Sequence, residues 1–186
     1  MCVMPLLRKE IDILPEDIFE VPAAERPWGV AHVRSRQEKV LARQLAENGV
    51  PFYLPLAESR RRREGRTLVS HLPLFAGYVF HRATAAQRDI LWRTNVIANL
   101  IDVTNQDELH AELAQLRRLQ LAGASLKTYH ELLPGQPVRI ESGSFAGYNG
   151  IVVRGKGHDR LIVSISLLKQ NVSVEFDREV LRRVRG

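Results

Sequence analysis

Residues 73–81 read PLFAGYVFH, and the reading of this stretch decides how its neighbours are read. The apolar and aromatic content of residues 74–81 predicts a strand. Phe75, Tyr78 and Phe80 put three aromatics into six residues of a chain that is only 6% aromatic. Gly77 lies inside the run, where glycine weakens pairing and marks a bulge or a close backbone approach. Phe75 and Tyr78 are an odd number of residues apart, so a regular strand sends them to opposite faces. A bulge near Gly77 would re-aim Tyr78. Taken alone, Phe75 and Phe80 read as core, whereas Tyr78, with a hydroxyl to satisfy, is the better surface candidate.

Working outward, strands and helices alternate. Residues 28–34, WGVAHVR, predict a strand, and residues 36–48 a helix that Ser35 can cap and Asn48-Gly49 can end. Its apolar face is Val40, Leu41 and Leu45, with Gln44 as the polar exception. Residues 52–57 and 66–72 predict strands on either side of the loop SRRRREG, a long hairpin with a basic tip and Gly65 at the turn. A helix at 84–94 with Thr84 as cap, a strand at 96–103 and a helix at 106–121 capped by Asn105 complete an α/β sandwich. A polar joint at 123–130 follows. Beyond it, residues 131–184 show no helical period. Short β-rich runs at 137–140, 150–154, 160–168 and 172–176, separated by glycine turns, predict a small β-barrel. The fold class is α+β, with domains at 27–122 and 131–186 joined by the linker at 123–130. Residues 1–26, with Pro5, Pro15 and Pro22, read as a flexible leader with at most one short helical turn.

Composition limits the function. The 186 residues carry a net charge of +6, with the leader at −3 and the excess of Lys and Arg in the two later segments, which favours an acidic partner. One cysteine, Cys2, excludes a disulfide framework and a multi-cysteine zinc site. No apolar run is long enough to span a bilayer and no secretory signal opens the chain, so a cytoplasmic, membrane-free setting is expected. The six histidines lack metal-site spacing, GKG at 155–157 is no phosphate loop, and no carboxylate pair or nucleophile elbow stands out. The expectation is a monomeric binding module without catalytic residues, metal or cofactor. Arg60, Arg61, Arg62 and Arg63, with Arg66 beyond the turn, can meet phosphates as guanidinium donors; a solvated, self-repelling loop is the alternative. The stretch SGSFAGYNGIV at 142–152 alternates glycines with Phe145 and Tyr148, which suits the bends of a small barrel.

Two stretches carry a family resemblance. PLFAGYVF resembles a strand of the NusG-type transcription factors, with Ala76 where proline is usual, and WGVAHVRSRQEKVLARQL at 28–45 resembles the opening strand and first helix of their N-terminal domain. LLPGQPVRIESGSFAGYNGIVV at 132–153 resembles the KOW motif, and the following residues continue that domain. The similarity covers residues 27–184, with both motifs in the family's order.

The resemblance implies an NGN-fold sandwich that binds RNA polymerase, gripping the β′ clamp helices and approaching the β gate loop so that pausing and termination are suppressed. It implies an SH3-like KOW barrel that recruits a small-subunit ribosomal protein or Rho. By position, His32, Phe75, Tyr78 and Phe80 fall at the clamp-binding pocket, with His32 where an aromatic is common. Gln87, Arg88 and Asp89 fall near the gate-loop contact. Phe145, Leu167, Leu168 and Lys169 fall at the KOW partner surface. Arginines 60–63 and 66 stand where a non-template strand, upstream duplex or RNA could be touched. The acidic leader, Ala76, the altered gate-loop segment and the arginine run tilt the reading towards a specialised paralog of the RfaH, LoaP or UpxY kind. The competing reading is a ribosome-associated KOW protein that binds RNA, against which the N-terminal α/β pattern speaks.

Overall fold

The computed structural model describes residues 10–63, 66–129, 138–139, 147–154 and 159–176. They fall into two compact units, one built from residues 10–20 with 29–101, the other from 21–28 with 102–176.

The first unit runs β1 (Ile13–Leu14), β2 (Gly29–Val33), α1 (Glu38–Glu47), β3 (Phe52–Tyr53), β4 (Leu56–Arg63), β5 (Arg66–Pro73), β6 (Tyr78–His81), α2 (Arg88–Arg93) and β7 (Ile97–Asp102). Five of these strands form one sheet in the order β1-β3-β6-β2-β7, while β4 and β5 form a separate two-stranded ribbon. Helix α1 turns Leu41, Ala42 and Leu45 into a core with Ala31, Val33, Phe52, Leu54, Val79 and Leu91. Each fully buried leucine there contributes about 1.5–3 kcal/mol of burial free energy. The helix begins at Glu38, two residues later than expected, because Arg36 takes a left-handed backbone (φ 61°) and Gln37 N–H donates to the Arg34 carbonyl at 3.1 Å. Ser35 is therefore not its cap. Its end matches the expectation: Gly49 has φ 62°, and Asn48 Nδ2 donates to the Gln44 carbonyl at 2.8 Å.

Residues 10–20 are not a free tail. Strand β1 pairs antiparallel with β3, Ile13 opposite Tyr53 and Leu14 opposite Phe52, and Leu54 N–H donates to the Asp12 carbonyl at 2.7 Å. Ile18 is buried, and Phe19 meets Tyr53 edge-on at 5.3 Å. Arg82, itself buried, donates from Nη1 to the Ile18 carbonyl at 2.7 Å. The apolar residues among the prolines and acids provide enough area and pairing to order this segment, which composition alone obscured.

The second unit contains α3 (Gln106–Leu121) and a five-stranded sheet of β8 (Leu126–Tyr129), β9 (Val138–Arg139), β10 (Asn149–Arg154), β11 (Asp159–Ile165) and β12 (Gln170–Phe176), ordered β8-β12-β11-β10-β9. Asn105 caps α3 as expected: Glu108 N–H donates to Asn105 Oδ1 at 3.2 Å. Leu109, Leu113, Leu116 and Leu119 mark its buried face. Gln106 brackets Trp28, accepting from its N–H at 2.7 Å and donating to its carbonyl at 2.9 Å. Strand β8 lies within the stretch expected to be a joint, and pairs with β12 from Leu126 opposite Val174 to Tyr129 opposite Asn171. Gly150 is dictated by close approach, since a Cβ there would lie 2.4 Å from the Ile162 carbonyl oxygen. Phe145, with the rest of residues 142–146 of the glycine-aromatic stretch, lies outside the described residues.

Candidate functional site

The stretch that opened the sequence reading is a turn followed by a short strand. Residues 74–77 form the turn and β6 begins only at Tyr78. Gly77 adopts φ 85°, a left-handed backbone that L side chains rarely take, which ends the pairing that a strand from residue 74 would need. Its carbonyl accepts from Val33 N–H at 2.8 Å, and its N–H donates to Glu38 Oε1 at 2.6 Å. Glu38 is buried, so a carboxylate at the first turn of α1 pins the turn that precedes Tyr78.

Register then builds an aromatic pair. β2 runs antiparallel to β6 with His32 directly opposite Tyr78. Their rings stack at 5.1 Å with planes 28° apart, and both side chains are half-buried. A Cβ on Gly77 would meet the His32 ring at 3.4 Å, an ordinary contact distance, so it is the backbone conformation that calls for glycine there. Phe75 and Phe80 meet edge-on at 5.9 Å and are buried. Of the four residues expected at a binding pocket, His32 and Tyr78 reach the surface and Phe75 and Phe80 lie in the interior. Glu38, which orders the turn, was not singled out in the sequence; a glutamate opening an amphipathic helix looks like a helix-dipole residue.

At the other end of β6, His81 is opposite Gly29, where a Cβ would come within 2.5 Å of the imidazole. Burial, and secondarily the nearby Arg88 charge, lowers its pKa to about 4. Its Nδ1 accepts from Ala83 N–H at 3.3 Å, consistent with a neutral ring. The chain then passes through a 3₁₀ turn at Ala85–Gln87 into α2. Gln87 Oε1 accepts from Thr84 N–H at 3.1 Å, so that side chain serves the turn, while Arg88 and Asp89 are exposed. Trp92, one helical turn after Arg88, is 51% exposed. Sequence reading passed over it because a tryptophan in a short amphipathic helix reads as core.

The ribbon differs from its expectation. Arg60–Arg63 are not loop residues: β4 continues to Arg63, and register pairs Arg60 with Val69, Arg61 with Leu68, Arg62 with Thr67 and Arg63 with Arg66. The arginines lie on a strand facing an aliphatic strand. Arg60 and Arg62 are exposed, and Arg60 Nε donates to Glu58 Oε1 in a solvent-facing ion pair. Leu68, Val69 and Leu72 are also exposed, at 52%, 46% and 46%.

In the second unit, Leu167 and Leu168 lie in a 3₁₀ turn at Ser166–Leu168, both half-buried, and Lys169 follows, exposed, with φ 52°. This turn touches α3. Glu112 accepts from Ser166 N–H through both carboxylate oxygens at 3.1 Å and from Ser166 Oγ at 2.5 Å. Desolvation raises the Glu112 pKa, and the Ser166 hydrogen bonds oppose that rise. Gln115 brackets Asn149, donating to its carbonyl at 2.6 Å and accepting from its N–H at 2.9 Å, and the Arg118 guanidinium lies 5.0 Å from the Tyr148 ring centroid. No cluster of three or more His, Cys, Asp or Glu that could hold a metal occurs among the described residues, and none of their helices is long and apolar enough to cross a membrane.

The family model described as transcription termination factor NusG matches residues 26–118, half of the chain. A structure reporting domain interaction in Thermotoga maritima NusG is 18% identical with a TM-score of 0.48, and the match covers 85% of this chain and 97% of that one. The MjSpt4:Spt5 complex in its conformation B is 14% identical with a TM-score of 0.27, covering 84% of this chain and 95% of that one. No curated protein matches the chain. The matched span contains the His32–Tyr78 pair, the Glu38–Gly77 turn, the ribbon and α2, and the chain belongs to the NusG family of transcription factors.

Proposed function

We propose that this protein binds elongating RNA polymerase and suppresses pausing and termination. The observation that carries the reading is the half-exposed His32–Tyr78 stack, set on a glycine turn that a buried glutamate pins. A rigid aromatic pair at the end of a sheet offers amphipathic contact area at little entropic cost, as an anchor for a partner helix requires. The stack meets the β′ clamp helices, with Phe75 and Phe80 packed in the interior to support the surface. Arg88 and Asp89 approach the β gate loop, with Gln87 shaping the turn that presents them. Holding both sides of the cleft favours the closed clamp over paused states. Residues 131–186 act as the KOW domain and recruit a small-subunit ribosomal protein or Rho through the Leu167–Leu168–Lys169 turn and Phe145.

The test is in vitro transcription with purified polymerase on templates carrying a pause and a Rho-dependent terminator. Faster pause escape and more full-length RNA with Rho present are expected, and a requirement for one upstream sequence would mark a specialised factor. Increased Rho-dependent termination would replace the antitermination reading with a general NusG role. Absence of both polymerase binding and any effect on transcription would contradict the proposal.

A further inference from the structure

Helix α3 and the sheet beside it enclose a cavity of about 390 Å³ that polymerase binding through His32 and Tyr78 does not use. Small-molecule sites typically measure about 300–1,000 Å³. One wall is a single helix face, on which Glu108, Ala111, Glu112 and Gln115 follow the i, i+3, i+4, i+7 spacing. The other wall is one face of β10 and β11. Register sets Ile151 directly opposite Ile162 there, as an apolar floor, and Ser164 lies two residues along the same face. Two sets of hydrogen bonds tie the walls together, Gln115 to Asn149 and Glu112 to Ser166, so the space between them is bounded by fixed contacts. It is open to solvent, since Ala111 is exposed and Ile151 only half-buried.

The polar atoms left over inside the cavity are acceptors. Gln115 uses both amide atoms on Asn149, and the Ser164 hydroxyl donates to Asn171 Oδ1 at 2.8 Å, which leaves the Ser164 oxygen able to accept. Asn105 Nδ2 donates to Glu108 Oε2 at 2.9 Å, and Glu108 Oε1 has no partner among the described residues. Among those residues, no Lys, Arg or His pairs with Glu108 or Glu112. The two carboxylates stand one helical turn apart, a spacing at which like charges repel. Burial raises the Glu112 pKa against its Ser166 hydrogen bonds, and the Glu108 charge adds to the rise. We infer that this cavity binds a primary alkylammonium ion. An ammonium group carries three donors and no acceptor, which complements the lining, and it meets Glu108 and Glu112. The alkyl chain covers Ile151 and Ile162, which a bare cation would leave wet. A carboxylate or phosphate ligand would face two negative charges instead of donors.

The inference stands beside the polymerase-binding reading and is tested without polymerase, so either can fail alone. The experiment titrates the isotope-labelled full-length protein with propyl-, butyl- and pentylammonium and with pentanoate, each up to 50 mM, and follows the amide NMR shifts. Saturable shifts at Ala111, Glu112, Ile151 and Ser164 are expected with the ammonium ions and none with pentanoate. Each methylene that lies against the floor should tighten binding about fourfold. Ala111→Leu places a good helix former at an exposed helical position and fills the opening, and should weaken pentylammonium binding roughly tenfold or more. Glu108→Gln, whose amide oxygen can still accept from Asn105, should weaken it about threefold. Pentanoate shifting the same amides equally would overturn the inference. So would an affinity independent of chain length, native affinity in Ala111→Leu, or the absence of saturable shifts at 50 mM. Circular dichroism of the variants checks that the fold is intact.

Discussion

Two stretches adjacent in sequence, the ribbon at 56–73 and the turn and strand at 74–81, solve opposite problems. In the second, the groups that shape the surface have fixed neighbours inside the unit: Gly77 bonds Glu38 and Val33, His32 stacks on Tyr78, and His81 fills a slot that Gly29 leaves open. In the first, a basic strand and an aliphatic strand pair with each other, and both faces remain open beyond the buried Leu56. The contrast teaches how a binding role can be read from a fold. One surface carries a small aromatic pair held by buried groups. The other leaves apolar and basic side chains uncovered.

If the comparison holds, the fixed stretch must be sensitive to its buried groups, and acid should have the largest effect. His81 has a pKa depressed from its ordinary 6.5 to about 4. A depressed histidine contributes stability above its unfolded pKa and loses it as pH falls towards the folded value. Acidification from pH 7 to 4 should therefore remove about 3 kcal/mol through this group. Amide hydrogen exchange in β2 and β6 reads the loss, and His81→Asn should flatten the pH dependence between 6.5 and 4. Equal steepness in that variant would mean that His81 is not the sensor.

Glu38→Ala comes next. It leaves the Gly77 N–H without its acceptor and should cost about 1.5–3 kcal/mol, with Glu38→Gln costing less. Urea unfolding measures both, and a neutral Glu38→Ala would remove the pin from the account. Gly77→Ala should cost about 1–2 kcal/mol for the left-handed backbone. Gly49→Ala, at φ 62° with no neighbour within 4 Å of the added methyl, sharpens the comparison. It should cost a similar amount in stability and leave polymerase affinity unchanged, whereas Gly77→Ala, which strains the turn that carries Tyr78, should reduce that affinity. The smallest effect belongs to the open stretch: Arg60→Ser with Arg62→Ser should shift the unfolding free energy by less than about 0.5 kcal/mol. A larger loss would show that the ribbon arginines serve the fold.

Much of this architecture is legible in the chain because it rests on local signals. Asn105 capped its helix where expected, Asn48-Gly49 ended another, and the β-branched runs at 150–154, 160–165 and 172–176 lie in strands. The departures arise where backbone conformation or tertiary pairing overrides the local pattern. Gly77 at φ 85° turned half of a predicted strand into a turn, and Arg36 at φ 61° moved a helix start past its expected cap. Residues 10–20 hold too little pattern to predict a strand, yet Ile13 and Leu14 find partners in β3. The arginine run looked like a loop because like charges repel, but cross-strand pairing with aliphatic residues keeps it extended to Arg63. Within the candidate site, the stacking of His32 on Tyr78 follows from register, which no single-strand pattern contains. Trp92 was missed because exposure cannot be read from a six-residue helix.

The central claim is that the fixed aromatic pair is the polymerase anchor. The most direct measurement is a binding titration of core RNA polymerase against the native protein, Tyr78→Ala, and the Arg60→Ser with Arg62→Ser variant, at 150 mM salt. The account predicts that Tyr78→Ala weakens binding at least tenfold while the arginine variant stays within threefold of the native protein in the absence of nucleic acid. Native affinity in Tyr78→Ala, with its fold intact by circular dichroism, would contradict it.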